Sequence, residues 1–334
     1  MRVLVTGGCG FIGRHVVKRL LQDPSREVVN LDALTYAADP SAFAELDGDD
    51  RYQFIHGDIC DSSAVRSAIE GCDAVMHLAA ETFVDRSLHR ASEFVKTNVL
   101  GTQELLAAAR EAGVRRFVHI STDEVYGSIT AGRATEDSPL APTSPYSASK
   151  AGSDLLALAA YHSYGQDVVV TRCTNNYGPH QFLEKLIPLA VTNFLDGVAV
   201  PVYGDGEQVR DWLYVEDHAE ALVLLLDEGK AGEIYNIGAE QDPEWSNLQI
   251  VKTLADLTAR GEDLIEFVED RPGHDRRYAV SSSKVRSIGW QPKHDLASGL
   301  AETVGWYESN RDWWEERIPE QRSLPAHKLA ASGT

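Results

Sequence analysis

A short apolar run, Arg2 to Thr6, leads directly into Gly7-Gly8-Cys9-Gly10-Phe11-Ile12-Gly13 and then into an amphipathic helix carrying Val16, Val17, Leu20 and Leu21. Strand, glycine turn and helix in that order leave few folds open. Glycines at 7, 10 and 13 let the backbone approach a pyrophosphate closely. The helix start offers unpaired N–H groups and the positive end of a dipole. A glycine turn alone is equally a plain tight turn. Its position between strand and helix is what a dinucleotide site requires.

The alternation continues. A second strand, Glu27 to Leu31, ends at Asp32, where a carboxylate would bind an adenosine ribose and repel a 2′-phosphate, favouring NAD over NADP. Tyr52 to Ile55 leads to Gly57, Asp58 and Ile59, with Asp58 a candidate for the adenine amino group. Ala74 to Leu78 is followed by Ala79 and Ala80, small enough for a cofactor to lie close. A helix from about Ala91 carries Thr97. Phe117 to Ile120 and Val168 to Arg172 are the fifth and sixth strands. This pattern predicts an α/β fold, a Rossmann-like doubly wound parallel sheet with ligands at the strands' carboxyl ends. Residues 1–182 would form the NAD-binding domain. Residues 183–320 would form a smaller C-terminal α/β substrate domain, with the chain free to cross back, and 321–334 a polar tail.

The fifth strand delivers Ser121-Thr122-Asp123-Glu124-Val125-Tyr126-Gly127. Tyr146 and Lys150 follow, four residues apart on one helical face. An ammonium beside a phenol favours the phenolate. Such a tyrosine can take a proton from a sugar hydroxyl while a nicotinamide takes the hydride. Asp123 and Glu124 add an acid and a base that simple alcohol oxidation does not need. As charged residues after a strand they could equally be a solvated turn. Thr122 before them and the Tyr–Lys pair beyond favour chemistry, oxidation coupled to elimination.

The chain is 43% apolar and 25% charged, with 31 basic and 51 acidic residues and a net charge of −20. That balance argues against nucleic acid and anionic membranes as partners. Cys9, Cys60, Cys72 and Cys173 have no paired spacing, so reduced structural thiols are expected and no metal site. Met1 runs straight into a strand without a signal-peptide pattern, and no apolar run is long enough for a membrane span; a cytoplasmic protein is expected.

Beyond Leu183 the pattern loosens. Pro201-Val202-Tyr203-Gly204 and Arg210-Asp211-Trp212 precede a short strand at Ile234 to Gly238. Arg271-Pro272-Gly273-His274-Asp275-Arg276-Arg277-Tyr278 is a basic segment in an acidic protein. Guanidinium forks match phosphate oxygens, so these arginines are candidates for a diphosphate; any one could instead make a structural ion pair.

With these motifs the chain resembles the extended short-chain dehydrogenase/reductases, and more narrowly the dTDP-glucose 4,6-dehydratases, from the glycine loop to Trp290. The glycine loop and the Tyr–Lys pair mark only the superfamily. Thr122-Asp123-Glu124 is sharper, because related epimerases usually have small or hydroxyl residues there. Asn175 to Pro179, Glu184 to Pro188, Arg210 to His218 and Arg271 to Tyr278 also match. The resemblance implies C4 oxidation of a nucleotide-linked hexose, loss of water across C5 and C6, and reduction at C6, on one tightly held NAD. Catalytic residues would be Thr122 on the 4-oxygen, Asp123 as acid, Glu124 as base at C5, Tyr146, and Lys150. The implied cofactor set is Gly7, Gly10, Phe11, Ile12, Gly13, Asp32, Leu34, Thr35, Asp58, Ile59, Ala79, Ala80, Thr97, Tyr146 and Lys150. For the nucleoside-diphosphate sugar it is Asn176, Lys185, Leu186, Pro201, Tyr203, Arg210, Asn236, Arg271, His274 and Tyr278. A homodimer through helices near 99–112 and 146–164 is implied too.

The chain departs from the family pattern at Thr82-Phe83, commonly Ser-His, at Leu183, commonly Pro, and at Ala33, commonly Lys. The first lies near the nicotinamide and sugar and leaves the hexose open. A 4-epimerase or UDP-glucuronate decarboxylase of the same fold would use Tyr146, Lys150 and NAD without a task for Asp123 and Glu124. A non-catalytic NAD sensor would need none of the five.

Overall fold

The computed structural model describes residues 1–318 and Arg322. Of the tail expected over 321–334, all but Arg322 lies outside the described residues. The first half runs β1 (Arg2–Thr6), α1 (Phe11–Leu21), β2 (Glu27–Asp32), β3 (Tyr52–His56), α2 (Ser62–Ile69), β4 (Ala74–His77), α3 (Val84–Ser87), α4 (Ala91–Phe94), α5 (Thr102–Glu111), β5 (Arg116–Thr122), α6 (Pro145–Tyr164) and β6 (Val168–Cys173). The second runs β7 (Asn175–Tyr177), α7 (Leu186–Asp196), β8 (Val200–Tyr203), β9 (Val209–Arg210), β10 (Trp212–Tyr214), α8 (Val215–Glu228), β11 (Ile234–Ile237), β12 (Trp245–Ser246), α9 (Asn247–Leu257), β13 (Ile265–Val268), α10 (Ser283–Ser287), α11 (Leu296–Ser309) and α12 (Arg311–Glu315).

One seven-stranded parallel sheet, ordered β3-β2-β1-β4-β5-β6-β11, carries the first half. Its inner strands are apolar on both faces because helices cover both. Val16, Val17 and Leu20 of α1 pack with Leu222 and Leu225 of α8 on one side. Val65 of α2, Leu105 of α5 and Ala157 of α6 close the other. Strand order reverses between β1 and β4, which opens a crevice at their carboxyl ends. Gly7 stands there with φ +72°, and a Cβ on it would lie 2.8 Å from the backbone of Ala79. Only glycine fits a turn so placed.

The doubly wound sheet matches the expectation. Its seventh strand does not come from the first half. The short strand at Ile234, assigned by sequence to the substrate half, pairs with β6 at the sheet edge. Helix α8, also beyond residue 183, buries Leu222 and Leu226 in the first core. The chain therefore crosses back over the expected 182/183 division. A second core, with Phe194, Val202, Ile250, Leu300, Tyr307 and Trp314, holds the remainder of the second half together.

Two local features position the site. Helix α6 starts with Ser144 and Ser147 in a capping box and Pro145 in its first turn, and stops at Gly165 with φ +69°. The helix expected from Ala91 is interrupted: Val95–Gly101 forms a wider π turn between α4 and α5. Apolar spacing carries no mark of such a turn. It places Thr97 on the central cavity and Asn98 between Glu81 and Ser149.

Beneath α6, Asp154 accepts from Arg172 at 2.9 Å and lies 3.2 Å from His119, all three buried. Removing the carboxylate strands Arg172 in the core. Asp154→Asn is expected to lose about 3–5 kcal/mol of stability, read as a lower urea midpoint; an unchanged midpoint would mean that the guanidinium finds other partners.

Candidate active site

The carboxyl end of β5 presents the expected acid–base group. Thr122 caps a one-turn helix, Asp123–Tyr126, by accepting from the Glu124 N–H at 3.3 Å. This turn directs two adjacent carboxyl groups into the same space. Asp123 is buried, with Oδ2 lacking a hydrogen-bond partner. Burial first, then the neighbouring Glu124 charge, hold its carboxyl well above the usual range against the pull of Arg210. Burial raises Glu124 too, but Arg271, Arg210 and Lys185 oppose it. The two carboxyl groups thus face unlike surroundings: Asp123 favours the protonated acid, while three cations support Glu124 as the carboxylate.

Tyr146 and Lys150 project from the first turns of α6 toward the same place. The Tyr146 ring packs edge-on against Phe94 at 6.3 Å. Burial, then Glu124, push its phenol up, with the Thr122 hydroxyl pulling it down. The Lys150 ammonium donates to the Ile120 carbonyl at 2.7 Å, and burial lowers it to about 8. Sequence spacing assigned the tuning of Tyr146 to Lys150. The Thr122 hydroxyl draws the phenol down as well, and the ammonium is at the same time bonded to the backbone of β5.

These residues share a cavity of about 340 Å³ that runs from the glycine turn to Lys185. Every residue of the expected cofactor set lines it except Leu34. Leu34 adopts φ +51°, donates its N–H to Asp32 at 2.8 Å and packs its side chain into the first core. Asp32 also accepts from the Cys9 N–H at 2.9 Å, so its carboxylate shapes the turn and keeps lone pairs for a ribose. Gly10 starts α1 without a side-chain cap, leaving the first-turn N–H groups open. A Cβ on Gly13 would lie 2.1 Å from the Gly7 carbonyl. The turn is a cradle only glycine permits, and it fits a dinucleotide pyrophosphate.

The expected substrate residues divide. Asn176 and Lys185 line the cavity. Asn176 is also tied to the Thr174 carbonyl and to His218, at 2.9 and 2.8 Å. Arg210 lies over the Tyr278 ring at 4.2 Å and donates to the Val209 and Asp275 carbonyls. Arg271 donates to Asp85 at 3.2 Å, and His274 meets Asp270 at 2.6 Å. Tyr203, at the end of β8, donates to Asp85, and the His274 ring stands edge-on to it at 6.0 Å. Pro201 sits inside β8, in register with Glu266. Leu186 opens α7 and packs on the second core. Asn236 stands apart on β11, engaged by Tyr126 and the Ala134 carbonyl.

Sequence reasoning passed over two buried carboxylates. Asp85 bridges Arg271 and Tyr203, and Asp275 accepts from Tyr278 and Thr143 at 2.8 and 2.5 Å. Each stands beside a basic residue in sequence, so both resemble ordinary surface charges. Glu81, Ser121 and Cys173 line the cavity as well, with no spacing signal to reveal them.

Residues 4–303 match the family model described as GDP-mannose 4,6 dehydratase. A dTDP-glucose 4,6-dehydratase of Streptomyces griseus is 53% identical over 328 residues, covering 97% of this chain and 99% of that one. The chain belongs to the 4,6-dehydratase family. A family member from Escherichia coli K12, dTDP-glucose 4,6-dehydratase 1, is 47% identical over 94% of each chain. The dTDP-glucose 4,6-dehydratase of Streptomyces venezuelae, solved with NAD bound, superposes with a TM-score of 0.93 at 51% identity, covering 95% of this chain and all of that one. The UDP-glucose 4-epimerase of Thermus thermophilus has the same fold, with a TM-score of 0.85 at 32% identity over 93% of this chain and 100% of that one.

The protonation environments give a pH dependence. A base at Glu124 would act only above its raised value, so the acid limb of turnover is expected above the 4.5 of an ordinary glutamate. The Lys150 ammonium is lost as pH rises through about 8, which sets an alkaline limb. A pH profile of kcat with its acid limb at or below 4.5 would contradict the assignment of Glu124.

Proposed function

We propose that this chain catalyses the NAD-dependent conversion of dTDP-glucose to dTDP-4-keto-6-deoxyglucose and water. The observation that carries the reading is the unlike surroundings of Asp123 and Glu124 beside Tyr146. An epimerase or decarboxylase on this fold has no step that needs a buried acid and a cation-supported base side by side.

The cofactor would lie with its pyrophosphate on the N–H groups of Phe11 and Ile12, its ribose on Asp32 and its adenine near Asp58. Bound NAD supplies a hydride acceptor that later returns the hydride, and its cationic ring favours the Tyr146 phenolate. Tyr146 takes the proton of the sugar 4-hydroxyl, while Thr122 holds that oxygen. The resulting 4-keto group acidifies C5. Glu124 removes the C5 proton, and Asp123 protonates the 6-hydroxyl so that it leaves as water. As C6 is reduced, Glu124 gives its proton back to C5 and is a carboxylate again; Asp123 is left as the carboxylate and Tyr146 as the phenol, and passage of the Tyr146 proton to Asp123 resets the site. Lys185, Arg210 and Arg271 supply positive charge for the diphosphate in a chain of net charge −20.

Two finer points belong to the same reading. A homodimer would form through the helices near 99–112 and 146–164, as the side chains of Leu100, Leu155 and Tyr164 are exposed along adjoining elements. A cytoplasmic location suits an enzyme of nucleotide sugars; among the described residues no helix is long and apolar enough to cross a membrane.

Product analysis with dTDP-, UDP-, CDP- and GDP-glucose in parallel tests the substrate. Inversion at C4 with the C6 oxygen retained would refute dehydration. Glu124→Gln is expected to show a transient NADH absorbance and to form product at least about a hundredfold more slowly. Leu155→Asp is expected to shift the sedimenting species from dimer to monomer; wild-type protein sedimenting as a monomer would refute the dimer.

A further inference from the structure

Asp85 is almost fully buried, at 2% exposure, and both of its oxygens are engaged from the far half of the chain. Oδ1 accepts from Arg271 Nη1 and Oδ2 from the Tyr203 hydroxyl, each at 3.2 Å. The pairing takes only one corner of the guanidinium. Arg271 Nε is buried without a hydrogen-bond partner. An ion pair that served only to join two halves of a protein would gain by closing the fork on both oxygens. Here the second oxygen goes to a tyrosine, and the Nε side of the guanidinium is left buried without a partner.

The segment around Asp85 also reaches the cavity, Lys185 and Glu184. Ala80, Glu81 and Thr82, just before it, line the cavity. The Thr82 carbonyl accepts from Lys185 Nζ at 3.2 Å, and the Phe83 ring lies 5.0 Å from the same ammonium. Arg86, just after it, pairs with Glu184 at 3.5 Å. Arg271 in turn is the foremost charge stabilising the Glu124 carboxylate. One buried carboxylate therefore fixes where a phosphate-binding guanidinium and an aromatic side chain stand relative to the catalytic base.

We infer that Asp85 is a positioning residue for the nucleoside-diphosphate end of the substrate: it holds Arg271 by one nitrogen, leaving the unpartnered Nε side for the diphosphate oxygens, and sets the Tyr203 ring beside the nucleobase. The inference rests on the proposed binding of a dTDP-sugar. Asp85 touches neither the reacting carbons nor the hydride path, so its loss falls first on binding and reaches the chemical step only through Arg271 and Glu124.

The test compares wild-type, Asp85→Asn, Arg271→Ala and the double variant, all as NAD-loaded enzymes. Asp85→Asn is expected to raise KM for dTDP-glucose roughly tenfold and to weaken dTDP binding in calorimetry by the same factor, with kcat changing less than KM and NAD content close to wild type. In the Arg271→Ala background the same change is expected to add little. A folded Asp85→Asn enzyme with wild-type KM and wild-type dTDP affinity overturns the inference. So does an effect that persists undiminished without Arg271. If Asp85→Asn does not fold, Tyr203→Phe decides: it removes the hydroxyl that Asp85 holds while keeping the ring and Arg271. A several-fold KM rise supports the inference and an unchanged KM overturns it. If the wild type binds dTDP without dehydrating dTDP-glucose, the proposed reaction fails while the dTDP affinities still decide the role of Asp85. If the wild type does not bind dTDP, both fail.

Discussion

Two carboxyl groups on consecutive residues cannot both be charged in a space with little water unless cations stand close by. That constraint governs the layout of the molecule. Asp123 and Glu124 are adjacent because a single turn at the end of β5 places them so. Arg210, Arg271 and Lys185 come from three separate places in the second half and converge on Glu124. Asp123 has burial and the Glu124 charge against it, with Arg210 the foremost cation easing its charge. The difference in company gives two adjacent carboxyl groups unlike surroundings, one opposed chiefly by burial and one supported by three cations.

Convergence of that kind needs the two halves held in a fixed relation. The sheet supplies part of it, since its edge strand β11 and the covering helix α8 belong to the second half of the sequence. Buried ion pairs supply more. Arg172 and Asp154 lock α6 to β6 under Lys150, and Asp85 ties the segment after β4 to Arg271 and Tyr203. Tyr126 links the first of these networks to β11 by donating to Asn236 and accepting from Arg172. Isolated, such groups would be costly to bury; hydrogen-bonded on both sides, they fix geometry.

Much of the nucleotide half was legible because each local signal agrees with the fold. Glycines at 7 and 13 have no alternative at a turn where a Cβ would strike the backbone. Asp32 and Asp58 fall at strand ends because parallel strands present their carboxyl ends together. Tyr146 and Lys150 were visible through helical spacing alone. The rest was hidden for identifiable reasons. A π turn at Val95–Gly101 has no sequence period of its own. Asp85 and Asp275 owe their importance to partners far away in sequence, and beside Arg86 and Arg276 they look like solvated charges. Asn236 sat in a short strand whose place at the sheet edge depends on long-range pairing with β6, which local spacing does not encode. The direction of the Lys150 ammonium was likewise beyond reach, because a backbone carbonyl competes for it.

The crossing of the chain at β11 bears on how such proteins can be recombined. A protein whose cofactor half and recognition half were separate cassettes could exchange one for another and acquire a new sugar preference in a single step. Here an exchange beginning at residue 183 would carry away the outermost strand of the sheet and the helix packed on α1. The incoming segment would have to rebuild the partner's interior as well as its specificity. Diversification in such an architecture proceeds more readily by point changes at loops, such as the one bearing Phe83, than by swapping whole halves.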